Sequence, residues 1–352
     1  MLFKNFYSGN FKNYKMKVRI ICYEDPDFWI LGKFAKQLNK NLLQLGIQSD
    51  IDNKPDNTAD INHHIIYNNF NGEISKNDTL MITHVDNIDK LNLLKKNIVK
   101  AQLGICMSSE TMFSLSDSGI DKQKLCYILP SHDQVVQIKK IAIGIFCRVQ
   151  PDGRKREYFL ERLINNLNSK LFKFIIMGDS WDPQVNKLHK SGFEVEYYNT
   201  FNLDVYYKLF QKLDYYLYMG MDEGQMGVLD AHAAGIKTIV TKQGYHLDLN
   251  NSVTHYFSKY DELLSILMKI QSDKEILLNS VSQLTWIDYT KKHIECWNYI
   301  LSKKQVSSIY TDGYNSISRQ KVVMKNYKIS KLKLVINKYL HYYFLVKKRI
   351  FS

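Results

Sequence analysis

Short β-branched or apolar runs alternate with helical stretches along most of this chain of 352 residues. No other feature narrows the fold class as much, because such alternation builds parallel sheets covered by helices on both faces. The run from Lys17 to Tyr23 reads as a buried first strand. It is followed by a helix from about Trp29 to Leu45, with Ile30, Leu31, Phe34, Leu38, Leu42 and Leu45 near helical spacing. Further strands are expected at 62–67, 79–84, 103–107 and 125–129. A second series follows at 141–147, 172–177, 193–198, 215–218 and 236–241, with helices near 155–168, 203–213 and 225–234. The two series meet near Pro130 to Lys140, and 258–303 reads as helical throughout.

This divides the chain into a basic aromatic leader (1–16), an N-terminal unit (17–135), a second α/β unit (136–257), a helical segment (258–302) and a basic tail (303–352). Met16 is a second candidate start. The leader has no continuous apolar core of the kind a secretory signal needs. No run is long enough to span a membrane. The cysteines Cys22, Cys106, Cys126, Cys147 and Cys296 are far apart and lack metal-ligand spacing, so they read as small buried hydrophobes of a reducing compartment.

The formal charge of +13 suggests nucleic acid until it is located. From Lys303 onward there are twelve Lys/Arg and one acid, Asp312, so the tail holds +11 and the rest of the chain +2. Ile329, Leu332, Ile336, Tyr339, Leu340 and Tyr343 can share a helical face beside Lys331 and Lys338. Such a basic aromatic amphipathic helix suits an anionic membrane surface. A nucleic-acid-binding protein with a basic tail is the competing class, and the near-neutral body counts against it.

Three loops of the second unit carry chemistry. The first strand runs into Arg148-Val-Gln-Pro-Asp-Gly153-Arg154-Lys155, where cations can neutralise a pyrophosphate. The second loop opens with Gly178-Asp179-Ser180-Trp181. The third lies within Gly220 to Gly244, where Asp222 and Asp230 flank Gly224 and Gly227 ahead of a helix. The glycines let backbone amides approach a ligand, and the helix start offers free N–H groups to an anion. Carboxylates beside an anion site suit a ligand bearing both phosphate and hydroxyl groups, as a nucleotide-sugar does.

With these residues the second unit resembles the donor domain of retaining GT-B glycosyltransferases, the group that includes many bacterial capsule, O-antigen and lipid-linked glycan enzymes. That family has an acidic residue, seven positions, a second acidic residue, then Ala-x-Ala-x-Gly and a buried strand. Asp222, Asp230 and Ala231-His-Ala-Ala-Gly235 fit the register, with aspartate for the usual glutamate at both places. Glu223 competes with Asp222 for the first place. The stretch from Ser108 to Pro130 resembles the last βα unit of the family's acceptor domain.

The resemblance implies two Rossmann-like α/β/α domains facing a cleft, with a C-terminal helical extension. It implies that Asp222 contacts the donor sugar, Asp230 holds the ribose, and the amides of Gly227, Val228 and Leu229 cradle the diphosphate, with Gly178 on the same sheet edge. Arg148 and Lys155 match the family's Arg–Lys pair, with Arg154 competing because the spacing is long. The enzyme would take a nucleoside diphosphate-sugar as co-substrate, use no cofactor, and glycosylate a glycan or lipid-linked acceptor. It would work in the cytoplasm, docked on the inner membrane face by its tail. A GT-B nucleotide-sugar epimerase is the alternative within the fold, and the tail argues against it.

On the acceptor side Asp27, Trp29 and Asp86 stand at expected strand ends. His84 is the preferred histidine for orienting a sugar or moving a proton, because related enzymes often place one in this cleft. His63 and His64 rank lower, since neighbours on a strand face opposite ways. Asp25-Pro-Asp27 and Asp50-Ile-Asp52 have the Asp-x-Asp form of metal-dependent glycosyltransferases but lie in the wrong place, so no metal site is expected.

Overall fold

The computed structural model describes residues 16–70, 72, 75, 77–249, 252–302 and 339. The leader before Met16, and the tail from Lys303 onward apart from Tyr339, lie outside the described residues, as does the proposed membrane helix of that tail. Among the described residues no helix is long and apolar enough to cross a membrane.

The first unit begins with β1 (Lys17–Ile21), α1 (Ile30–Gln44), β2 (Gln48–Asp52), β3 (Ile61–His64) and β4 (Asp78–Ile82). It continues with α2 (Ile88–Ile98), β5 (Leu103–Cys106), α3 (Ser109–Asp117) and β6 (Leu125–Tyr127). All pairings in its sheet are parallel, in the order β2-β1-β3-β4-β5-β6. Phe34, Ala35, Leu38 and Leu42 put the apolar stripe of α1 onto this sheet. Asn87 and Ser108 cap α2 and α3 by accepting from the backbone N–H of Lys90 and Thr111, which fixes where each helix starts.

Two features of this sheet differ from the sequence expectation or refine it. The edge strand β2 has no apolar run to announce it, because Gln48, Asp50 and Asp52 face solvent. Its Asp50 and Asp52 pair with Arg19 of β1, which gives that Asp-x-Asp a structural explanation. The rings of His63 and His64 face opposite sides of β3: His63 meets His293 and Trp297, while His64 bonds Asp78. Burial pushes the His63 imidazole well below its ordinary pKa.

The second unit holds β7 (Ile141–Phe146), α4 (Tyr158–Leu163), β8 (Phe172–Met177), α5 (Asp182–Lys190), β9 (Glu194–Tyr198) and α6 (Leu203–Phe210). It then adds β10 (Tyr215–Tyr218), α7 (Met226–Ala233), β11 (Lys237–Thr241), β12 (His255–Phe257) and α8 (Tyr260–Ser280). Its parallel order is β12-β11-β10-β7-β8-β9. Counted within the unit this is 6-5-4-1-2-3, the Rossmann order, whose progression reverses between β7 and β10. Loops leaving the two strands at that point turn to opposite faces of the sheet and open a crevice, where ligands of such sheets bind.

The expected continuous helix from 258 breaks after Ser280, and α9 (Trp286–Leu301) starts afresh with Thr285 accepting from Asp288 N. Tyr260, Leu263, Leu267 and Ile270 of α8 belong to the second unit's core, whereas Trp286, Tyr289, Ile294 and Trp297 of α9 belong to the first unit's. The compact units are accordingly Gln134–Gln283, and the described residues up to Asp133 together with those from Leu284 on. Each carries a Rossmann-like parallel sheet of six strands.

Candidate functional site

The loops leaving β7 and β10 are joined at the switch point. Lys155 Nζ donates to the Tyr218 hydroxyl at 2.6 Å and to Asp222 Oδ2 at 2.6 Å. Tyr218 donates to Asp222 Oδ1, which closes a three-membered ring of hydrogen bonds. Burial opposes ionisation of Asp222, but the bonds from Lys155 and Tyr218 outweigh it and hold the carboxyl below its ordinary pKa. Burial and the Asp222 carboxylate together raise the Tyr218 phenol, so it remains a proton donor.

The other expected cations are placed differently. Arg154 is half exposed, ion-paired to Asp152 at 3.3 Å, with its Nε 4.0 Å from Asp222. Arg148 is exposed and makes no hydrogen bond or ion pair with another described residue. Glu223 is exposed, and its carbonyl accepts from Tyr245 N at 3.0 Å. Between the two acids, Asp222 is therefore the one built into the cationic loop.

The start of α7 is pinned by Gln225. Its side-chain oxygen accepts from the Tyr216 hydroxyl at 2.6 Å, and its amide nitrogen donates to Phe146 O at the end of β7. Its backbone N–H donates to His246 Nε2 at 3.2 Å, while His246 Nδ1 donates to Thr241 O at 3.1 Å. That fixes the neutral tautomer with the proton on Nδ1, and burial lowers the imidazole's pKa accordingly. Asp230, one turn into α7, accepts from the Tyr206 hydroxyl at 2.5 Å.

The glycines have reasons internal to the fold. Gly224 has φ +122, and a Cβ there would lie 2.6 Å from the Tyr245 ring. A Cβ on Gly227 would lie 2.2 Å from the Tyr216 hydroxyl, beneath the helix. Gly178 has φ +143 and lets its loop cross the Cys147 carbonyl, where a Cβ would sit 2.2 Å away. Val228 is buried and its N–H bonds Gln225 O at 3.0 Å; Leu229 is half-buried.

In the first unit, His84 and Asp86 lie in the loop after β4 and share Lys90. Lys90 Nζ is 3.2 Å from His84 Nε2 and 2.7 Å from Asp86 Oδ1, and it holds the Asp86 carboxyl below its ordinary pKa. His84 and Asp86 line a recess of about 210 Å³ with Glu110, Thr111 and Ser114 of α3. Asp27 and Trp29 lie apart from them, in the loop after β1, both exposed, with Asp27 ion-paired to Lys36. Among the described residues no group of three or more His, Cys, Asp or Glu could hold a metal ion.

Sequence reasoning missed Tyr216, Tyr218, Gln225, His246 and Arg156. The signal for the tyrosines was present: at period two in a strand they share one face, below the acidic loop.

No protein-family model matches the chain, and no curated protein matches it in sequence. Among solved structures it is similar to HepE of Anabaena in complex with UDP and glucose, at 13% identity and a TM-score of 0.34, covering 82% of this chain and 100% of that one. It is similar to the lipopolysaccharide outer core galactosyltransferase WaaB at 15% and 0.33, again over 82% and 100%. Sucrose-phosphate synthase of Thermosynechococcus elongatus is similar at 9% and 0.36, over 82% and 100%. Each of these TM-scores lies below 0.5.

Proposed function

We propose that the chain is a retaining, metal-independent glycosyltransferase of GT-B type. It moves a sugar from a nucleoside diphosphate-sugar to a glycan or lipid-linked acceptor, in synthesis of a bacterial surface polysaccharide. The observation that carries this is the bonding of the cationic loop after β7 to the acidic loop after β10, at the point where the strand order reverses. Asp222 stands there beside Lys155, and Asp230 stands on the helix that comes next in the chain.

As the bond between the sugar's anomeric carbon and the diphosphate breaks, negative charge gathers on the departing phosphate oxygens. Arg148 and Arg154, which reach solvent, and the first turn of α7 meet that charge, in the role a divalent cation has in other transferases. Lys155 is held by Asp222 and Tyr218, so its share is to fix Asp222 toward the donor sugar. Asp230 accepts the ribose hydroxyls. The acceptor hydroxyl oxygen forms the new bond to the anomeric carbon on the face the diphosphate leaves, as the family resemblance implies, and its proton passes to the departing diphosphate oxygen. His84 is the first unit's candidate for orienting an acceptor. The tail docks the enzyme on the cytoplasmic membrane surface.

A thermal-shift screen against nucleoside diphosphates and their sugars tests the donor. A ligand at a hundred times its dissociation constant adds about 2.7 kcal/mol of stability. Asp230→Ala should weaken the diphosphate alone, and Asp222→Ala mainly the intact sugar donor. A chain that no nucleoside diphosphate stabilises would not be this enzyme.

A further inference from the structure

We propose that Arg156, one residue past the cationic motif, is a positioning residue: its buried guanidinium fixes the loop after β10 at the height where Asp222 meets Lys155. Its purpose rests on the donor-site reading, while its geometry stands without it.

Arg156 is 5% exposed, and its three bonds go to neutral oxygens on three chain segments. Nε donates to Met219 O at 2.5 Å, Nη1 to Ser258 O at 2.8 Å and Nη2 to Thr241 Oγ1 at 2.8 Å. These acceptors sit at or just past the ends of β10, β12 and β11. The guanidinium also lies 4.9 Å from the Phe159 ring centroid and 5.4 Å from that of Phe257. One planar fork thus fastens three strand ends to the loop after β7, across the place where the sheet's progression reverses. A lysine, a point charge on a flexible stem, cannot hold three such partners in one plane.

The backbone shows that this placement is imposed. Arg156 has φ +51, a left-handed conformation a side-chain-bearing residue rarely adopts. With that turn, consecutive residues engage one stretch from different sides. Arg154 O accepts from Met221 N at 2.8 Å, Lys155 bonds Tyr218 and Asp222, and Arg156 bonds Met219. Desolvation lowers the guanidinium's pKa, a cost consistent with a group kept for its geometry.

Arg156→Met keeps the apolar stem and removes every donor; Arg156→Lys restores the charge and part of the bonding. Both are compared with wild type by circular dichroism and by carboxyl carbon-13 titration, with Asp222 assigned through Asp222→Asn. Glu196, held to about 2 by Lys173 and Lys212 against its burial, is the internal control in the same unit. In Arg156→Met the Asp222 titration should move up toward the ordinary carboxylate range while Glu196 stays in place, with Arg156→Lys between. An unmoved Asp222, or an Asp222 that moves only together with Glu196, overturns the proposal; if the Met variant does not fold, the Lys variant decides by the same criterion. Calorimetry of wild type with UDP runs beside it: absence of binding there would count against UDP as the donor nucleotide and leave the carboxylate result standing.

Discussion

The ammonium of Lys155 and the carboxylate of Asp222 lie 2.6 Å apart, both largely shielded from water, on loops that leave different strands. An ion pair of this kind fixes where a carboxylate points before any ligand arrives, and preorganisation of that sort is what a transfer site needs.

Lys155→Met should therefore cost about 1–3 kcal/mol of stability, since it leaves a partly buried carboxylate without its cation, bonded to Tyr218 alone among side chains. It should also let Asp222 titrate at a higher pH. Arg154→Met, which removes a half-exposed cation, should stay within about 0.5 kcal/mol. Urea unfolding of the two variants at neutral pH decides the register: a larger loss for Arg154→Met would assign the pinning role to the wrong residue.

The strands most legible in the sequence are those with continuous apolar runs. Ile141 to Phe146 is buried at every position and reads as a strand without help. β2 escaped notice because Ile51 is its one apolar residue and its aspartates pair with Arg19, and β12, three residues long, has too little pattern to register. The break between α8 and α9 has no Gly or Pro; its one local sign is Thr285, with Asp288 three residues on. At the site, acids and cations announce themselves by type. Gln225 and Arg156 matter through partners 9 to 102 residues away, and no local pattern records such pairings.

Gly227→Ala should destabilise the protein although alanine is the better helix former by about 1 kcal/mol. The new Cβ would meet the Tyr216 hydroxyl at 2.2 Å and its ring carbon at 2.7 Å. Tyr216 is fully buried and bonded to Gln225, so it has nowhere to swing. Overpacking costs about 1–3 kcal/mol. Tyr216→Phe in the same chain should recover part of the loss, and a double-mutant cycle of unfolding free energies measures that recovery. Strictly additive losses would show the two groups do not clash.

Truncation at Ser302 removes +11 of the +13 charge. Each basic residue near an anionic surface contributes about 1 kcal/mol. The full chain should float with anionic vesicles and detach at high salt, and the truncated chain should stay behind. Equal flotation of both would move the membrane contact elsewhere, with the aromatic leader as the next place to look.

His246 ties the start of α7 to pH. Its Nε2 must carry a lone pair to accept the Gln225 N–H at 3.2 Å, and its Nδ1–H is spent on Thr241 O. Burial keeps its folded pKa below the ordinary histidine value of about 6.5. Below that ordinary value the unfolded chain takes up a proton that the folded one refuses. The His246 contribution is therefore fully present above about pH 6.5 and lost as pH falls toward the folded value. His63, His232, His255 and His293 are also depressed by burial and act in the same direction, so the whole protein's slope does not isolate one ring. The informative quantity is the difference between wild type and His246→Gln, whose side chain does not titrate. Its urea-unfolding free energy should fall less than wild type's between about pH 7.5 and pH 5.5, a full proton of difference being about 1.4 kcal/mol per pH unit. Parallel pH profiles for the two proteins would mean the imidazole charges without disturbing Gln225, and the helix start would have to be held by Phe146 and Tyr216 alone.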